Sequence, residues 1–150
     1  MSYRRLLRDN LIKRVRPDFS QIGKQIDRAQ KDLKASEANV SIDLSWAVTI
    51  AYHAMIRAGR ALIYSRGYLP TTRQTHKTIV KVTSLILGKE YSELIAKFNR
   101  LRRKRHVFIY DSVNHTTVQE ARSAIKAARK FVDESIAFIK GENPQKELKF

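Results

Sequence analysis

The chain has 150 residues, the size of one ordinary domain with room for a true core. Its 30 Lys and Arg against 14 Asp and Glu leave a formal net charge of +16, more than solubility requires, which points to a polyanionic partner. Cysteine is absent, excluding a disulfide framework and a thiolate zinc site, and no window approaches the roughly 20 apolar residues of a membrane span.

The basic residues sit on several segments, not on one amphipathic helix backed by large apolar side chains, so nucleic acid is the expected polyanion and a membrane surface is not. The first residues carry charge but no apolar stretch suited to export, and a cytoplasmic protein is expected.

Apolar residues recur at three and four positions with no sustained alternation, which predicts an all-α fold. A short basic lead helix is predicted over Tyr3 to Arg16, ended by Pro17, with Leu7, Leu11 and Val15 on one side. The next helix opens at Asp18, a capping residue with Gln21 at the capping-box position, and buries Ile22, Ile26, Ala29 and Leu33. Ser41 and Asp43 offer caps for a long helix to about Arg66, stopped by Gly67 and Pro70. It carries a line of small residues, Ala47, Ala51, Ala54, Ala58 and Ala61, along which a second helix backbone can approach closely. His53, Arg57 and Arg60 share a different, polar side.

A third main helix is predicted from Thr75 to Leu87, ending at Gly88, and a fourth from about Glu90 to Tyr110. The last begins at the capping box Thr117-Val118-Gln119-Glu120, buries Ala121, Ile125, Ala128, Val132 and Ile139, and breaks at Gly141 and Pro144. This divides the chain into a basic N-terminal extension (1–17), a helical bundle (18–140) and a basic C-terminal tail (141–150) whose last residues, Lys146 to Phe150, are expected to fray.

Six of the nine residues from Lys97 to Arg105 are basic, and the run leads into His106-Val107-Phe108-Ile109-Tyr110-Asp111. Leu94, Phe98, Leu101 and Phe108 form one apolar stripe on this helix, and the missing member of the series is Arg105. A guanidinium at a core edge costs free energy unless paired, so a carboxylate, a phosphate or a second subunit should satisfy it. Arg100, Arg102, Arg103 and Lys104 spread around the other faces, where a solvated role and a phosphate-binding role fit equally well. Arg57 and Arg60 join them as candidate nucleic-acid contacts.

The stretch Ala51-Tyr52-His53-Ala54-Met55-Ile56-Arg57-Ala58-Gly59-Arg60-Ala61-Leu62, followed by Gly67, Pro70 and His76-Lys77, resembles the second-helix and loop signature of HEPN domains. Phe98 to Asp111 and the closing Ala127 to Val132 resemble the rest of that pattern, and the likeness covers about Asp18 to Lys140. The resemblance implies an up-and-down bundle of four to five helices, dimerisation through the motif-bearing helix, and a role in prokaryotic toxin-antitoxin or defence systems. A nucleotidyltransferase protein is the implied companion.

Active members of that family cut RNA without metal, using an Arg, often followed by a polar residue, and a His five or six places on. By resemblance, Arg105 takes the Arg position, His106 the polar one, and Tyr110 stands in the His slot. A second register pairs Arg100 with His106 but puts Leu101 in the polar slot and leaves Arg105 unexplained, so the first is preferred. A phenol of ordinary pKa near 10 is a poor general base at neutral pH, whereas an imidazole near 6.5 suits a ribose 2′-hydroxyl. On a helix His106 projects about 40° from Arg102 and about 100° from Arg105.

Among the other histidines, His53 is expected as a partly buried, hydrogen-bonded ring, His76 as a local structural residue and His115 as a solvent-facing one. Neither metal-site spacing nor a Gly-rich phosphate loop is present, so no metal and no cofactor are assigned. The leading expectation is an RNA- or nucleotide-binding protein. The alternatives are a metal-independent endoribonuclease using Arg105, His106 and Tyr110, and an interaction module for an acidic protein partner.

Overall fold

The computed structural model describes residues 2–110 and 115–142. Its elements in chain order are α1 (Tyr3–Arg8), β1 (Ile12–Arg14), α2 (Phe19–Asn39), α3 (Leu44–Ser65), β2 (Tyr68–Pro70), α4 (Thr75–Leu87), a 3-10 turn (Lys89–Tyr91), α5 (Ser92–Tyr110) and α6 (Val118–Glu142).

The bundle is built around α3, where fifteen of 22 residues are buried, as a helix apolar on nearly every side requires. Asp43 starts it by accepting the Trp46 N–H at 3.0 Å. Helices α2, α4, α5 and α6 all pack on it. The alanine line is fully buried from Ala47 to Ala61, and without long side chains the neighbouring backbone comes close enough for Ser36 of α2 to donate to the Ala47 carbonyl at 2.6 Å. Asp18 caps α2 through the N–H groups of Ser20 and Gln21, and Thr117 caps α6 through the Glu120 N–H. Arg129 of α6 pairs with Glu37 of α2, tying the two helices that flank α3.

The N-terminal segment departs from expectation. The lead helix ends at Arg8, not Arg16, because Asn10 takes a left-handed conformation at φ 57°. Leu11 N–H then returns to the Leu6 carbonyl and Asn10 N–H to Leu7, a Schellman ending that closes the helix after two turns. The chain continues as β1, antiparallel to β2 with Ile12 opposite Pro70 and Arg14 opposite Tyr68. Gly67, at φ 87°, makes the turn into β2 and accepts the Val15 N–H. Leu6 and Ile12 are buried, and Tyr3 stacks on Tyr68 at 4.9 Å.

This ribbon apart, the fold is the expected all-α bundle, with α4 spanning the predicted residues, α5 starting two residues late and α6 running through Gly141. The predicted stop at Pro144 and the tail Lys146 to Phe150 lie outside the described residues, as does Asp111. No helix among the described residues is long and apolar enough to cross a membrane.

Candidate functional site

On α5 the stripe Leu94, Phe98 and Phe108 is buried, and Phe98 packs against Phe131 of α6 with ring centroids 4.8 Å apart. Arg105 follows the same stripe and is half-buried at its edge. Its Nη1 donates to the Arg102 carbonyl at 2.8 Å, and its charge acts on the Tyr52 phenol of α3, drawing that pKa down against burial. The carbonyl acceptor carries no charge, and among the described residues no carboxylate pairs with the guanidinium.

Tyr52 is 3% exposed, and its hydroxyl lies 2.8 Å from Nδ1 of His76. His76 stands in the first turn of α4, whose start is set by Gln74 at φ 48° and by Thr75 Oγ1 donating to the Thr71 carbonyl. Three helices thus meet at one point. They enclose a cavity of about 150 Å³ whose polar wall is Thr49, Tyr52, His53, His76 and Arg105 and whose apolar wall is Leu101, Phe108 and Ile109. None of these lining residues is acidic.

Electrostatics follow from that geometry. Burial, then the positive charges of Arg105, His53, Arg60 and Arg102, push His76 down to about 4, so its imidazole is neutral at physiological pH. Burial raises the Tyr52 phenol to about 12 against the opposing pull of Arg105 and Arg102, so it keeps its proton. The site is a fixed cation beside two neutral, hydrogen-bonding groups. It suits an anionic oxygen at the guanidinium and a polar group at the imidazole.

The other predicted residues divide among separate places. His106 is exposed, and Tyr110 is 78% exposed at the end of α5, about 140° around the helix from Arg105, so neither lines this cavity. Arg57 donates to Asp32 at 2.7 Å, a carboxylate that also faces Arg28. Arg60 is half-buried, and burial, then the Arg57 charge, lowers its pKa. Arg100 and Lys104 line a larger cavity of about 500 Å³ between α5 and the start of α6, in company with Glu120. Arg102 and Arg103 face the opposite way, onto a groove shared with α4.

His53 is exposed overall but lines the cavity edge-on to Tyr52, and burial, then the Arg57 charge, lowers its pKa, while His115 is exposed as expected. His76 belongs to the site and not to local structure alone. Sequence reasoning missed the role of Tyr52. Its signal was a hydroxyl on the second core stripe of α3, Val48, Tyr52, Met55, Gly59 and Leu62, where every other member is apolar. No group of three or more potential metal ligands forms among the described residues.

Comparison with curated proteins gave no match. The family model of the HEPN domain matches residues 23–138, from the first turns of α2 to the last turns of α6, and the chain belongs to the HEPN domain family.

Proposed function

We propose that this HEPN-domain protein binds RNA, with Arg105 holding a phosphate at the Tyr52–His76 pair and the basic face of α5 adding to the field. The observation that carries the reading is Arg105 itself. It is half-buried, bonded to an uncharged carbonyl, and set in a cavity with no acidic lining among the described residues, in a chain of net charge +16. A bound phosphate supplies the charge partner the fold leaves out.

The test is fluorescence anisotropy with a labelled single-stranded RNA across a series of salt concentrations. Counterion release predicts a linear fall of log affinity with log salt, and Arg105→Ala should lower affinity by about tenfold or more. Undetectable or salt-insensitive binding overturns the proposal.

A metal-independent endoribonuclease is the second reading, favoured by one observation: a neutral imidazole, His76, stands beside the arginine although the family's usual His position holds Tyr110. RNA cleavage in EDTA that is lost in both Arg105→Ala and His76→Ala would establish it. Intact RNA after long incubation with the wild-type protein removes it. Val107, Ile109 and Tyr110, all exposed at the end of α5, support the homodimer common in the family, and light scattering reads that mass directly. A toxin-antitoxin or defence role and a nucleotidyltransferase companion belong to the same reading, tested by co-purification from the native host.

A further inference from the structure

The cations of α5 are segregated by the fold into two sets. Arg100 and Lys104 share their cavity with Glu120, whose carboxylate offsets part of their charge. Arg102 and Arg103 instead face Lys77 and Lys81 of α4 across a groove of about 690 Å³ in which no lining residue among those described is acidic. Lys77 and Lys81 are one helical turn apart, placing two ammonium groups in a row along one wall. On the other wall, Asn99 Oδ1 accepts from Arg102 Nε at 2.9 Å and holds that guanidinium in place.

The groove and the Arg105 cavity share no lining residue, but they are neighbours along both helices. His76 in the cavity is followed directly by Lys77 in the groove, and Arg105 donates to the backbone of Arg102, one turn back along α5. From these observations we infer that the α4–α5 groove is the track of a single RNA strand whose phosphate is held at Arg105, with Lys77, Lys81, Arg102 and Arg103 contacting the backbone phosphates that follow. This rests on the RNA-binding reading and gives it a direction across the surface.

The chemistry selects the partner's form. The groove's cations line two adjacent helices, a strip that matches the single phosphate backbone of one extended strand. Among the described residues the groove has no aromatic platform; its apolar residues are Val80, Leu85, Ile95 and Ala96. Affinity therefore comes from phosphates and not from base stacking, which makes binding tolerant of sequence and steep in salt.

The experiment compares pairs of substitutions that remove equal charge from the full chain, using anisotropy with a labelled mixed-sequence single-stranded RNA. Lys77→Ala with Lys81→Ala should lower affinity by about tenfold and reduce the salt slope by about 2, whereas Lys126→Ala with Lys130→Ala, an exposed pair of the same spacing on α6, should change neither. Lys77→Arg with Lys81→Arg should restore binding, and thermal melts verify that each variant folds. Duplex RNA and polyglutamate should compete poorly.

Equal losses for the α4 and α6 pairs overturn the track, as does a larger loss for Arg100→Ala with Lys104→Ala, or polyglutamate competing as well as RNA. If the α4 pair binds normally while Arg105→Ala does not, the track fails and the Arg105 reading stands. If the wild-type chain binds no RNA, both fail.

Discussion

The Tyr52 hydroxyl and His76 Nδ1 meet at 2.8 Å across the contact of α3 with α4, and the Arg105 charge of α5 acts on the same phenol. A guanidinium favours the lone pairs of the phenol oxygen and not its proton. The phenol proton is then best used on Nδ1, which leaves the His76 hydrogen on Nε2, free to meet a ligand. Tyr52→Phe keeps the ring and removes the centre of this relay. Thermal denaturation should register a loss of about 1 kcal/mol, since one polar link disappears from a largely buried site. An unchanged or raised melting temperature would show that the relay does not stabilise the fold.

His76 gives the site a pH signature. Burial and the neighbouring cations hold its pKa at about 4, below the ordinary 6.5 it regains on unfolding. Between those values the unfolded chain binds the extra proton, so this residue's contribution to stability is complete above about pH 6.5 and is lost as pH falls toward 4. Urea melts of the wild type and His76→Gln between pH 7 and 4.5 isolate the effect: the wild type should lose the larger share of its stability. In an NMR titration, Arg105→Ala should move the His76 pKa upward but short of 6.5, because burial remains the larger cause. A wild-type His76 titrating at 6.5 rules the argument out.

Gly59 lies at a close approach of α3 and α4. A Cβ built there lies 2.7 Å from Ile79 Cγ2 and 3.2 Å from Thr83 Cγ2, and both of those residues are buried with no room to retreat. Gly59→Ala would gain helix propensity in an exposed position, but here overpacking decides the sign, and a loss of about 1–3 kcal/mol is expected in chemical denaturation. Since α4 carries His76, the same variant should weaken RNA binding. A stabilised Gly59→Ala would mean that the two helices separate at little cost.

What could be read from the sequence depends on the range of the cause. Caps and stops act within a few residues, so Asp18, Asp43, Gly88 and Thr117 marked the helix ends where they occur. The strand at Ile12 could not be read that way. Three residues carry no periodicity, and its pairing partner Tyr68–Pro70 lies more than fifty positions along the chain. Arg105 was visible because it interrupts a stripe on its own helix. The Tyr52–His76 pair was not, because two ordinary-looking residues on different helices become a site only when α4 folds back on α3.

The position of Tyr110 yields the sharpest test of which residues act with Arg105. It stands five residues on, where the family places a histidine, yet it is 78% exposed, and helix geometry turns it about 140° away. His76 is distant in sequence but lines the cavity with the guanidinium. If proximity decides function, His76→Ala should reduce RNA affinity by about threefold to tenfold, the usual worth of one ligand hydrogen bond, while Tyr110→Ala in a monomeric preparation stays near wild type. Tyr110→Ala should also leave the melting curve almost unmoved, within about 0.5 kcal/mol, as an exposed side chain at a helix end contributes little packing. A large loss at Tyr110 with none at His76 would transfer the site to the exposed end of α5. The cavity among α3, α4 and α5 would then be a packing feature only.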